Sequence, residues 1–289
     1  MNEIVVDAHA KINLGLDITG LREDGYHLVD MVMQSISLSD SITIRKTAES
    51  DVIRLTSNAD HIPLDESNLA YKAAMTMKKA FDRVGGVEIH IEKNIPVAAG
   101  LAGGSTDAAA VMTGINKLFE LGVPDEKLME MAVRLGADVP YCIYGGTARA
   151  QGIGEVLTGL NRLPGCFILL SKPSCSVSTK ETYERYDALD EVDHPDIEGM
   201  IEKIEIGDLS GMSEKMGNVL EYVTKPIHPV IGDIESVMKK HGAVSAMMSG
   251  SGPSVFGIFT DEENAIKAKD EIEAHGYSAE NFVCRPVDR

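Results

Sequence analysis

Residues 95–110 read IPVAAGLAGGSTDAAA. From Pro96 to Gly104 the side chains are small or absent apart from Val97 and Leu101, and the segment opens directly into the run STDAAAVMTGINKLF, which is helical by composition. Gly and Ala let a backbone approach another group closely. The first turn of a helix adds unsatisfied amides and the positive end of a dipole. Together these suit a chain of phosphates. The same residues also suit a flexible loop, or a helix start packed tightly on a strand, and the local reading leaves these open. Ser105, Thr106 and Asp107 are candidate N-caps. The hydroxyls of Ser105 and Thr106 are also candidate phosphate donors or Mg2+ ligands.

Reading upstream, VEIHIE (87–92) alternates as a strand and 66–83 has helical spacing, stopped by Gly85-Gly86. Ile36, Leu38, Ile42 and Ile44 share a period of two on either side of a predicted Ser39-Asp40 turn. Downstream, the spacing predicts a helix over 125–135, after which Asp138-Val139-Pro140 enters an apolar strand. CFILL (166–170) reads as a buried strand and 180–188 as a helix. The acidic stretch 187–198 reads as a surface connection, 212–223, 230–241 and 261–275 as helices, and 282–285 as a last strand. Strands and helices are interspersed without βαβ regularity, which predicts an α+β fold. A change of character near 155–165 predicts two domains, 1–158 and 159–289.

Composition narrows the function classes. With 27 Lys and Arg against 45 Asp and Glu, the formal charge of the 289 residues is −18. Such a surface repels phosphate backbones and anionic lipid, arguing against nucleic acid or membrane as the main partner. It does not exclude a small anion held by a few aimed amides and lysines. Aromatic residues are only 5% and Trp is absent, so aliphatic residues and the 14 Met must fill the cores. The four Cys have neither CxxC nor Cys–His ligand spacing, which argues against a zinc site or a disulfide framework. No apolar run approaches the about 18 residues of a membrane span, so the expected location is cytoplasmic.

Four further features carry chemistry or only structure. Asp138, in LGADVP (135–140), sits at an element edge where catalytic groups are found, and equally where a turn Asp is found. Lys11 and Asn13 fall on one face of the alternating strand AKINLGLDI. Asp24-Gly25 is a turn signal, and Tyr26 and His27 after it suit a heteroaromatic ring. Ser249–Pro253 (SGSGP) is either a hairpin turn or a second backbone surface for phosphate or substrate through Gly250 and Gly252. GxxxxGK[ST], GxGxxG and the HRD and DFG signatures are all absent.

AKINLGLDITGLREDGYH (10–27), IPVAAGLAGGSTDAAA (95–110), LGADVP (135–140) and MMSGSGPSVFGIF (247–259) together resemble the motifs of the GHMP superfamily of small-molecule kinases. AKINL with DGYH narrows the resemblance to a member acting on a cytidine diphosphate derivative of methylerythritol. The resemblance implies two α+β domains with ATP and substrate in the cleft between them, Mg2+ accompanying ATP. It implies that Pro96, Val97, Ala98, Ala99, Gly100, Leu101, Ala102, Gly103, Gly104, Ser105 and Thr106 wrap the ATP phosphates, with Asn68 lining the adenine pocket. Lys11 and Asp138 would be the catalytic pair, and Asn13 would place the reacting hydroxyl. Tyr26 and His27 would hold the cytosine, with Thr179 and Tyr183 as a second substrate segment and Tyr183 as the opposing ring. No residue is implied as a dedicated metal ligand. The competing readings are a homoserine, mevalonate or sugar kinase of the superfamily, a non-catalytic nucleotide-binding regulator, and a nucleic-acid module disfavoured by charge.

Overall fold

Two long strands open the chain, β1 (Glu3–Leu21) and β2 (His27–Lys46), joined by a turn in which Gly25 takes a φ of 86°. The computed structural model describes all residues, Met1–Arg289. The first half continues through β3 (Ile53–Ser57), α1 (Leu69–Ala80), β4 (Val87–Glu92), α2 (Gly103–Leu118), α3 (Asp125–Ala132) and α4 (Val139–Tyr144). The second half holds β5 (Thr147–Gly152), β6 (Val156–Gly159), β7 (Phe167–Lys172), α5 (Thr179–Tyr186), α6 (Ile197–Glu205), α7 (Leu209–Ser213) and β8 (Gly217–Asn218). It ends with α8 (Glu221–Ile227), α9 (Val230–Lys240), β9 (Ser245–Met248), β10 (Val255–Phe259), α10 (Glu262–His275) and β11 (Glu280–Cys284). The α+β class read from the sequence is the class observed. No helix is long and apolar enough to cross a membrane.

The residues fall into two compact units that are interleaved along the chain. One comprises 1–10, 38–97 and 102–144; the other comprises 11–37, 98–101 and 145–289. In the first, β4 runs antiparallel to Ser41–Lys46 and parallel to β3. Ile42, Ile44, Ile89 and Ile91 from these strands are buried with Ala73, Ala74 and Met77 of α1 and Ala108, Val111, Met112 and Ile115 of α2. Gly114 explains how closely α2 seats: a Cβ there would stand 2.5 Å from Ile44 Cδ1. Small residues on α2 thus serve packing along its length, whatever its first turn binds.

In the second unit, β11-β7-β10-β9 form an antiparallel sheet with Phe256 opposite Leu170 and Val283 opposite Leu169. Helix α9 reaches this sheet at Gly257, where a Cβ would lie 2.9 Å from Met238 Sδ. Elsewhere in the unit, β5 pairs antiparallel with Val29–Gln34, and Gly15-Leu16 pairs parallel with β8. As the shortage of aromatic residues requires, methionines fill the interior, among them Met31, Met33, Met200, Met238 and Met248.

Three expectations change. The Ser39-Asp40 turn does not exist; β2 runs through it because the buried Asp40 carboxylate accepts from the amides of Asn94 (2.6 Å) and Ile95 (2.8 Å). The apolar strand after Asp138 is instead α4, whose first turn accommodates Pro140 because no intrahelical amide is needed there. The helix expected over 212–223 is broken: Gly217-Asn218 is β8, and helix resumes only at Glu221.

Candidate functional site

In the first unit the centre of interest is the start of α2. The helix begins at Gly103, not at the hydroxyl residues, and its N-cap is Ala102, at φ 58° and ψ 26° with no side-chain cap. This corrects the expectation that Ser105, Thr106 or Asp107 caps the helix. The first helical bond is Thr106 N–H to the Ala102 carbonyl (2.9 Å), so the amides of the preceding turn have no intrahelical acceptor. Thr106 is buried and donates its hydroxyl to the His9 carbonyl at 2.7 Å, which makes it an anchor for the helix start. Ser105 remains partly exposed.

The approach to this turn is unusual in its backbone. Ala98 (φ 52°), Gly100 (φ 75°) and Ala102 (φ 58°) are all left-handed, at every second position. Backbone of alternating handedness is the kind that suits anions. For the two alanines it costs about 1–2 kcal/mol each, which glycine would avoid.

Beside the start of α2, the segment LGADVP lies close: a Cβ at Gly136 would come within 4.0 Å of Ser105 Oγ. Asp138, partly buried, immediately precedes α4, and its carbonyl accepts from Cys142 N–H at 3.0 Å. Asn68 is the N-cap of α1: its Oδ1 accepts from Ala70 N–H (2.8 Å), and its Nδ2 donates to the Pro63 carbonyl (2.7 Å). Its amide is therefore committed to the helix start.

Behind Thr106 lies a network that sequence reasoning missed. Lys93, at the end of β4, pairs with both Asp40 and Asp107, the latter at 2.8 Å. Asp107 Oδ1 is buried without a partner. Burial, above all, pushes the Asp107 carboxyl up to about 7; Lys93 opposes the rise and Asp40 adds to it. In the sequence a Lys between a strand and a proline reads as surface. Only the residues of β2, fifty positions away, reveal it as the counter-ion of two buried carboxylates.

In the second unit, Lys11 and Asn13 lie together as the alternation predicts, with Lys11 Nζ donating to Asn13 Oδ1 at 2.7 Å. Both are buried rather than on a solvated edge. The Lys11 amide donates to the Leu101 carbonyl at 3.2 Å, and Ser249 Oγ donates to the Gly100 carbonyl at 3.1 Å. A Cβ at Gly250 would stand 3.2 Å from Gly100 O and 3.5 Å from Asn13 Oδ1. The strand of Lys11, the loop 98–101 and the SGSGP segment thus meet. Gly252 faces inward, toward Met248 and Thr224. The buried Asn218 supports this segment, donating to the carbonyls of Met248 (3.0 Å) and Gly250 (2.8 Å).

In the same unit, the rings of His27 and Tyr183 lie 4.8 Å apart at 45°, and His27 Nε2 is 2.7 Å from Asp187 Oδ1. Thr179 Oγ1 lies 2.9 Å from Ser251 Oγ. Tyr26 is 57% exposed.

The GHMP kinases N terminal domain matches residues 68–146 and the GHMP kinases C terminal domain matches 200–278. A 4-diphosphocytidyl-2-C-methyl-D-erythritol kinase of Lachnospira eligens is 50% identical over 288 residues, covering 98% of this chain and 100% of that protein. A crystal structure of 4-(cytidine 5'-diphospho)-2C-methyl-D-erythritol kinase superposes with a TM-score of 0.83 at 30% identity, covering 99% of this chain and 100% of that one. A homoserine kinase from Cytophaga hutchinsonii shares the fold, with a TM-score of 0.80 at 20% identity over 100% of this chain and 95% of that one. Matched over residues 68–146 and 200–278 by the two family domains and along nearly its whole length by a half-identical relative, this chain belongs to the GHMP kinase family.

Proposed function

We propose that the protein transfers the γ-phosphoryl group of ATP to the 2-hydroxyl of 4-diphosphocytidyl-2-C-methyl-D-erythritol, giving the 2-phosphate and ADP in non-mevalonate isopentenyl diphosphate synthesis. The observation that carries the kinase reading is the uncapped start of α2, entered through three left-handed residues: amides that nothing in the helix satisfies. The choice of acceptor rests on the 50% identity to a relative of that name.

Phosphoryl transfer depends on alignment and charge neutralisation more than on covalent help. In this reading the amides of Ala98–Ser105 hold the β- and γ-phosphates. Asp138 accepts the hydroxyl proton as the oxygen attacks. The Lys11 ammonium, oriented by Asn13, offsets charge on the travelling group. Tyr26 and Tyr183 take the faces of the cytosine and His27 its edge. Mg2+ keeps its waters and is carried mainly by substrate phosphates. Ser105 would be its protein contact, since the Thr106 hydroxyl is engaged by His9. When bound, Mg2+ neutralises phosphate charge.

The test is a coupled ADP-release assay with the cytidyl substrate run beside mevalonate and homoserine. Turnover with the cytidyl substrate alone is expected. Preferential turnover of either other alcohol would refute the reading.

A further inference from the structure

We infer that Asp187 sets the base specificity of this protein by fixing the tautomer of His27. The inference deepens the proposed function and rests on it, since it takes His27 as the group that meets the edge of the base.

The geometry begins with α5. Tyr183 and Asp187 are four residues apart, so they emerge on one face at the C-terminal end of the helix. The Asp187 amide continues the helical pattern by donating to the Tyr183 carbonyl at 3.1 Å. Both side chains converge on His27, 160 positions away: the tyrosine ring at 4.8 Å between centroids and the carboxylate at 2.7 Å from Nε2. The other end of α5 is held by the Thr179–Ser251 hydroxyl contact. His27 is placed by the turn before it, closed by Arg22 N–H to the Tyr26 carbonyl at 2.8 Å. The histidine side chain is only 12% exposed, whereas that of Asp187 is 46% exposed. Water therefore competes poorly for the imidazole, and the carboxylate stays solvated on its outer side.

An ionised carboxylate only accepts hydrogen bonds. A neutral imidazole carries one proton, so pairing Nε2–H with Asp187 leaves Nδ1 as a bare acceptor. The exocyclic amino group of cytosine donates to such a nitrogen. Uracil presents a carbonyl at the same position, and two lone pairs would then face each other with neither satisfied. Sites that hydrogen-bond a substrate group reject the analogue lacking it far more strongly than apolar pockets reject a size change. Asp187 thus acts through His27, as a positioning residue. Replacement by Asn removes the bias, because an amide both donates and accepts and so tolerates either tautomer.

The experiment compares the cytidyl substrate with its uridyl counterpart in the ADP-release assay, for wild type and Asp187→Asn. Wild type is expected to favour the cytidyl form by about 100-fold or more in kcat/KM. Asp187→Asn is expected to shrink that ratio by about tenfold, through the KM for the cytidyl substrate rather than the KM for ATP. Asp187→Glu, which keeps a carboxylate, restores part of the ratio. Independently, 15N NMR of histidine-labelled protein at about pH 8 should find His27 protonated at Nε2 alone in wild type and mixed in Asp187→Asn. An unchanged ratio in Asp187→Asn, or a wild-type His27 protonated at Nδ1, overturns the assignment of Asp187 alone. A wild-type chain that phosphorylates neither nucleotide overturns the proposed function and the specificity role with it.

Discussion

Gly100 is the residue least able to change. Its φ of 75° disfavours any side chain, and a Cβ would stand 2.3 Å from the Ser249 carbonyl oxygen, a backbone atom that cannot swing aside. Gly100→Ala is expected to cost about 2–4 kcal/mol in chemical denaturation and to raise the KM for ATP. Asp138 makes a different kind of prediction. If it takes the hydroxyl proton, Asp138→Asn should lower kcat by about 10³-fold while ATP still binds, which single-turnover and nucleotide-binding measurements separate. Near-normal turnover would remove it from that role.

At the scale of the element, α2 offers a test with two opposed signs. An acidic residue in a first turn stabilises a helix by about 0.3–1 kcal/mol. It also occupies the field that a phosphate would use. Ser105→Asp should therefore hold or raise the melting temperature while raising the KM for ATP about tenfold or more. Loss of stability together with binding would point to a packing role for the turn instead.

Elements with complete local signals were legible in the sequence. Helix α10 has Asp261 as a cap and Gly276 as a left-handed stop, and β4 alternates throughout. What could not be read depended on partners far along the chain. Ser39-Asp40 resembles a turn until residues 93–95 are seen to satisfy the Asp40 carboxylate. Gly217-Asn218 lies inside a helical pattern, yet it pairs with Gly15-Leu16 and its Asn braces the SGSGP segment. The candidate site divides the same way. The loop before α2 and the Lys11–Asn13 face followed from local pattern, whereas Lys93 and Asp187 have no local signature.

At the scale of the whole molecule, two buried carboxylates in separate units share a design. Asp107 is paired with Lys93, and Glu235 shares Lys225 with Glu221, at 2.7 and 2.8 Å from the ammonium. Burial, foremost, raises each to about 7. A carboxyl held above its unfolded value of about 4 favours the native state in its protonated form. Its contribution is therefore fully present below about pH 4 and is lost as the pH climbs through about 7. Thermal melts of the double variant Asp107→Asn, Glu235→Gln should show a shallower fall in melting temperature from about pH 5 to about pH 8 than wild type. Identical slopes would show that neither group titrates in that window.

The methyl groups of Ala98 and Ala102 have a consequence for chemistry aimed at this enzyme. Glycine at those places would reach the same turn with less torsional effort, but out of a far wider population of shapes. Alanine narrows that population before any nucleotide arrives. Inhibitors contoured to the resting loop will find it already formed, whereas compounds that require it to be remodelled must supply the torsional work from their own binding energy.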